Sequence, residues 1–140
     1  MSISGQTGAL GRYQSVGTYS AVSAADKLRL VHLMMQGARD RIAKAKAHLH
    51  RGEISAKGEQ ISRAIALVDG LRASLDASEG GDIARNLGGL YEYMMRRLLS
   101  ANLDDDMAAL DEVASLMSEI HDGWKGVVDQ SDRILEANAS

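Results

Sequence analysis

The chain has 140 residues, a formal charge of −3 and no cysteine, and 45% of its residues are hydrophobic. This length is enough for one domain with a buried core. The absence of cysteine excludes disulfides, thiolate metal sites and cysteine nucleophiles. The acidic balance does not indicate nucleic-acid binding. No apolar run approaches the ~20 residues that span a bilayer, and the N-terminus does not resemble a signal peptide, so we expect a cytoplasmic protein.

Proline is also absent, so nothing in the sequence forces a helix to break, and long helices are permitted. Residues 1–22 carry four glycines without a sustained helical or strand period. This pattern predicts a flexible N-terminal arm. Tyr13 and Val16 make the arm partly apolar, so it is either a disordered tail or a segment that docks on apolar surface of the body.

Two helices are predicted in the first half of the chain. Ser23 and Asp26 resemble a capping-box start, and Gly52 closes the first helix. The second helix begins near Ile54 and ends by Asp76–Ser78. Apolar residues recur at three- and four-residue steps along both: Leu28, Val31, Met35, Ala38, Ile42, Ala45 and Leu49 on the first, and Ile61, Ala64, Ile65, Val68, Leu71 and Leu75 on the second.

The third predicted helix, Gly80–Asn102, is apolar over more of its circumference than one core contact requires. Its core face is predicted to hold Ile83, Leu87, Leu90, Met94, Leu98 and Ala101, and a second line beside it holds Ala84, Gly88, Tyr91, Met95 and Leu99. At about 100° per residue, Met95 and Leu99 point away from the centre of the core face. The helix therefore either lies unusually deep in the fold or offers a surface to a partner.

The fourth predicted helix follows three carboxylates, Asp104–Asp106, which suit the positive end of a helix dipole. Its face is Leu110, Val113, Leu116, Met117, Ile120, Trp124 and Val127, and residues 131–140 are predicted to fray. Short turns between four helices favour antiparallel neighbours. The sequence thus predicts an all-α, antiparallel up-down four-helix bundle over residues 23–130.

Catalytic and metal-binding patterns are not found. The histidines lie at 32, 48, 50 and 121, and a solvated surface is the expected place for them. No Glu-x-x-His pair of a di-iron bundle occurs, and the paired glycines lack the spacing of a phosphate loop. We therefore expect a protein that is not an enzyme and has no cofactor or bound metal.

The sequence GGDIARNLGGLYEYMMRRLLSANLDDD, residues 80–106, resembles the FliS family of flagellar export chaperones specific for flagellin. It is similar to that family's Gly-Gly-Glu-Ile-Ala-x-Asn-Leu, Leu-Tyr-x-Tyr-Met and Arg-Arg-Leu-x-x-Ala-Asn pattern. RGEISAK at 51–57, the lone Trp124, and Tyr13 before SAADKL extend the resemblance over roughly residues 13–126.

The resemblance implies a bundle that binds the C-terminal segment of new flagellin, prevents its premature polymerisation and presents it to the flagellar type III export apparatus. Apolar positions on the third helix then become candidates for the partner-binding groove: Tyr91, Met95, Leu99 and Leu103. The family is described as having an N-terminal arm that can cover its binding surface, a role for Tyr13 and Val16.

Three alternatives remain open. Neighbouring helices could cover Met95 and Leu99, since core faces are often wide. The chain could be a self-associating or metal-binding bundle with no flagellin role. Arm exchange between protomers would also permit a homodimer, which the sequence does not decide.

Overall fold

The computed structural model describes residues 16–75 and 77–139, which form four helices and no strand. The helices are α1 (Val16–His50), α2 (Ile54–Ala73), α3 (Ala77–Asp104) and α4 (Met107–Ala139). The predicted all-α class and four-helix arrangement are confirmed. No described helix is long and apolar enough to cross a membrane.

Each helix packs against two neighbours, in the cyclic order α1, α2, α3, α4. Contacts between them join rising residue numbers on one helix to falling numbers on the next, so neighbouring helices run antiparallel. The pairs are Lys46–Asp111 and Arg29–Asp132 between α1 and α4, Arg41–Gln60 and Gly37–Leu67 between α1 and α2, and Lys57–Asn102 and Gly88–Leu75 between α2 and α3.

The core follows the predicted stripes on α1, α2 and α4, except that Val127 on α4 is exposed. Its largest apolar members are less than 2% exposed: Met35, Ile42, Ile61, Val68, Leu71, Tyr91, Met94, Leu98, Leu110, Val113 and Met117. On α3 the prediction is wrong at the start of the core face, because Ile83 is 79% exposed while Ala84 and Tyr91 are buried. Gly81, with φ 57° and ψ −129°, interrupts the helix just before this turn. The buried line on α3 therefore runs through Ala84 and Tyr91 instead.

Both ends of the folded chain are more helical than predicted. α1 begins at Val16 rather than Ser23, and α4 continues to Ala139 rather than fraying after residue 130. Extending an existing helix adds one hydrogen bond per residue fixed and avoids the cost of nucleation. The extension of α4 is held against α1, since Arg29 lies 2.5 Å from Asp132. A tertiary contact that sequence periodicity does not reveal thus supports the extended end of α4.

The turn between α3 and α4 is closed by Asp105 rather than by Asn102. Asp105 has a φ of 52°, and the Asp106 N–H donates to the Ala101 carbonyl at 3.1 Å, as in a Schellman motif. The Asp106 carboxylate then accepts from the Ala109 N–H at 3.2 Å and caps α4. Lys57 is 1% exposed and pairs with the Asp105 carboxylate. The acidic run is therefore an architectural feature of the turn.

Candidate functional site: an apolar cleft at one end of the bundle

An apolar cleft opens at the end of the bundle where α1 and α3 begin and α2 ends. It encloses about 430 Å³. Most of its lining is apolar: Ala24, Lys27, Leu28, Val31, Met35, Ser74, Leu75, Gly80, Ile83, Ala84, Leu87, Tyr91 and Trp124. Ile83 lines the cleft yet is 79% exposed. The core is thus left open at this end, and the apolar side chain of Ile83 is accessible to a ligand that enters the cleft.

Trp124 and Tyr91 give the cleft its aromatic walls. The Trp124 indole N–H donates to the Leu28 carbonyl at 2.9 Å and so joins α4 to α1. Tyr91 is only 1% exposed, and burial raises the pKa of its phenol to about 12. Both rings are held in place, so the cleft is a preformed apolar surface.

The chemistry of the cleft is that of binding rather than catalysis. Lys27 is the only charged group among its described lining residues, and the Ser74 hydroxyl already donates to the Leu71 carbonyl at 2.7 Å. No pair of acid and base, or nucleophile and base, faces the cleft among these residues. The arrangement suits an amphipathic segment whose apolar face enters the cleft while a carboxylate at its edge meets Lys27.

The structure separates the sequence-predicted site residues. Tyr91, predicted on a line beside the core face, is buried in the core and lines the cleft, so its role in partner binding stays a prediction. Leu99 and Leu103 are 52% and 74% exposed on the outer side of α3, and Met95 beside them is half-buried against the core. We name these three residues the outer α3 stripe. Neighbouring helices therefore do not cover Leu99, and Leu103 lies about 18 Å along the helix from Tyr91.

The residues predicted to cover the groove lie at the edge of the described chain. Tyr13 is outside the described residues. Val16 is the first residue of α1, so any arm ends before it rather than at residue 22. The absence of proline between Val16 and Ser23 leaves the helix free to extend this far.

A histidine cluster between α1 and α4 was missed by the sequence analysis. His121 is 3% exposed, and its ring nitrogens lie 3.1 Å from His32 Nδ1 and 3.0 Å from Arg39 Nη1. The expectation of a solvated surface is wrong for His121. A signal was present, because His121 falls four residues after Met117 and three before Trp124 on the core face of α4. Within the described ranges, no three His, Asp or Glu side chains are grouped so as to hold a metal ion.

A second polar link joins α3 to α4. The Tyr93 hydroxyl and the Arg97 Nε–H each donate to the Glu112 carboxylate at 2.7 Å. These bonds, first from Tyr93 and then from Arg97, lower the pKa of Glu112, and the bond to Glu112 raises the pKa of Tyr93. The link fixes the polar side of α3 and leaves its outer stripe to solvent.

An antiparallel four-helix bundle with a preformed cleft of mostly apolar lining has the architecture of a binding protein. Comparison with known proteins gives the family. Residues 9–131 match the sequence model of the family described as flagellar protein FliS. The flagellar secretion chaperone FliSB of Pseudomonas aeruginosa is 44% identical over 119 residues, which cover 85% of this chain and 94% of that one.

Other relatives carry similar names. The flagellar secretion chaperone FliS of Salmonella typhimurium is 44% identical over 82% of this chain and 86% of its own. That of Bacillus subtilis is 26% identical over 81% of this chain and 84% of its own. The chain belongs to the FliS family, a family of flagellar secretion chaperones and not of enzymes.

Proposed function

We propose that this protein is a cytoplasmic chaperone that binds the C-terminal segment of flagellin. Binding prevents premature polymerisation of flagellin and supports its delivery to the flagellar type III export apparatus. Membership of a secretion chaperone family supports the proposal. The observation that carries it is the apolar cleft, in which Ile83 presents most of its side chain to solvent beside the fixed rings of Tyr91 and Trp124.

The shape of the surface suits a segment that orders as it binds. An otherwise disordered chain with one apolar face can gain enough from burial in a preformed groove to offset its ordering entropy. The outer α3 stripe supplies a second exposed apolar surface on the same helix. A helical segment of about twelve residues spans the ~18 Å between Tyr91 and Leu103. One flagellin segment is therefore long enough to contact both surfaces.

Isothermal titration calorimetry with a synthetic flagellin C-terminal peptide tests this function. We expect saturable binding to the full chain and none with a scrambled peptide of the same composition. A negative heat-capacity change should accompany binding, because apolar surface is buried. Equal affinity for the two peptides, or no binding to either, would refute the proposed partner.

The N-terminal arm, which carries Tyr13, is proposed to compete with flagellin for the cleft. α1 begins at Val16, about 12 Å along the helix from Ala24 at the cleft edge. A chain of fifteen residues can reach up to about 50 Å when extended, so residues 1–15 are long enough to fold back over the cleft. Removal of residues 1–15, which leaves α1 intact, should raise peptide affinity. Unchanged affinity would exclude the competition.

A further inference from the structure

His32, Arg39 and His121 form a hydrogen-bonded chain between α1 and α4, which we name the histidine latch. Arginine carries donors and no acceptor, so Arg39 Nη1–H donates to His121 Nδ1 at 3.0 Å. The proton of His121 must then lie on Nε2, which donates to His32 Nδ1 at 3.1 Å. Both acceptor nitrogens are unprotonated in this arrangement. Hence both imidazoles are neutral when the latch is closed.

The two hydrogen bonds of the latch cannot both be kept when either histidine is protonated. Protonation of His121 would place an N–H and a positive charge against the Arg39 guanidinium. Protonation of His32 at Nδ1 would set two donors against each other. Arg39 is partly neutralised by Asp122 at 3.5 Å, but this contact provides no acceptor for His121 Nδ1–H. One added proton therefore breaks at least one of the two bonds that join the helices.

The latch lies next to the wall of the apolar cleft. His121 precedes Trp124 by three residues on α4, and His32 follows Leu28 by four on α1. Each of the two latch histidines is thus about one helical turn from one partner of the Trp124–Leu28 bond that forms the cleft wall. A change in the distance between α1 and α4 at the latch would therefore move the two partners of that bond relative to each other.

We propose that the histidine latch positions α1 and α4 for segment capture, and that acidification opens it and weakens binding in the cleft. His32, Arg39 and His121 are positioning residues, since none of them lines the cleft. The effect on segment binding rests on the proposed function, whereas the opening of the histidine latch is a property of the free protein.

The groups around His121 determine in which direction of pH the latch opens. Burial lowers the pKa of His121 below its ordinary 6.5, and its neighbours His32, Lys125 and Arg39 lower it further, against the opposing Asp122. Asp40 and Gln36 of α1 also line this side of the latch. Because the pKa is lower in the closed state, the latch contributes fully above about pH 6.5. Its contribution falls as the pH drops from there through the lowered pKa.

Fluorescence of the free protein tests the opening, since Trp124 is the sole tryptophan of the chain. We expect its emission maximum to move to longer wavelength between about pH 7 and about pH 5, as a protonated latch exposes the ring to water. His121→Phe keeps a buried ring without a titrating group and should abolish the shift. Arg39→Gln should also abolish it, because an amide can accept from a protonated His121 as well as donate to a neutral one. His50→Gln, on an exposed histidine at the far end of α1, should titrate like the wild type.

Two outcomes would overturn the latch: a wild-type emission maximum independent of pH, or a shift that persists in both His121→Phe and Arg39→Gln. Arg39→Gln changes a side chain that is 35% exposed and leaves His121 in the core. It therefore covers the case in which His121→Phe does not fold.

Peptide affinity tests the consequence. For the wild type, the dissociation constant of the flagellin C-terminal peptide should rise as the pH falls below about 6.5, by up to about tenfold for each pH unit until the lowered pKa is passed. In Arg39→Gln it should stay level. A wild-type affinity that does not change with pH, while the emission maximum does, would overturn the coupling. Absence of peptide binding at every pH would instead refute the proposed function, with the latch still decided by fluorescence.

Discussion

Truncation of Ile83 measures what the cleft contributes to partner binding. Full burial of an isoleucine side chain stabilises a complex by about 1.5–3 kcal/mol relative to leaving it exposed. Ile83 is 79% exposed in the free protein, so most of this gain is still available for binding. Since alanine keeps one methyl group, Ile83→Ala should cost about 1–2 kcal/mol of binding free energy. This corresponds to a roughly 5- to 30-fold larger dissociation constant for the flagellin peptide.

The same exposure makes Ile83 a clean probe. A side chain that contributes little to the folded core can be removed with a change of about 0.5 kcal/mol or less in the free energy of unfolding. Ile54 provides the matched control, because it is 48% exposed and lies at the start of α2, at the opposite end of the bundle from the cleft. Ile54→Ala should bind the peptide as the wild type does. Circular dichroism on all three proteins verifies that the fold is retained.

Calorimetric dissociation constants of the two variants then test whether the partner enters the cleft. Weaker binding in Ile83→Ala alone supports the cleft as the contact surface. Wild-type affinity in Ile83→Ala would show that the partner does not enter the cleft and would favour the outer α3 stripe as the contact surface. Equal losses in both variants would show that the assay reports general surface hydrophobicity.

Three further predictions concern the fold. Lys57→Ala should lower the free energy of unfolding by about 2–3 kcal/mol in urea denaturation, since it leaves the part-buried Asn102 carbonyl and the Asp105 carboxylate without their donor; a loss below about 0.5 kcal/mol, the level of an exposed site, would contradict this. Leu98→Ala should cost about 2–5 kcal/mol in the same assay, whereas Leu99→Ala, its exposed neighbour, should cost well under 1 kcal/mol; similar losses would mean that the burial of α3 is wrongly placed. The carboxylate of Glu112 has a lowered pKa, so its stabilisation is present above its ordinary value of 4.5 and lost as the pH falls below it. Glu112→Gln should flatten this acid limb of the thermal unfolding midpoint, and an unchanged limb would assign it to other carboxylates.

The packing of each helix against two neighbours explains why sequence periodicity predicted the core of α1, α2 and α4 well. A helix that contacts two neighbours buries a continuous stripe, and Met35, Ile61 and Leu110 lie on such stripes at the expected spacing. The absence of proline and the short polar turns also predicted four antiparallel helices. The family resemblance, carried by residues 80–106, is confirmed by the match over residues 9–131.

Periodicity failed where tertiary contacts decide. Tyr91 was predicted to lie beside the core face and is in the core, while Ile83 was predicted as core and is exposed. Rotation of the buried line on α3 by part of a turn depends on where α2 and α4 pack, which a single helix does not encode. His121 was likewise expected in solvent, although its burial depends on partners 82 and 89 positions away along the chain.

The sequence by itself therefore determined the helical class, the four elements, most of the core and the family. These depend on local propensity and on one apolar face per helix, both of which are readable in order along the chain. Only the tertiary structure decided where the core stays open, because the cleft exists between four elements and belongs to none of them. It also decided that the extended end of α4 pairs with α1 and that histidines of these two helices meet beside the cleft, since such contacts join residues that are distant in sequence.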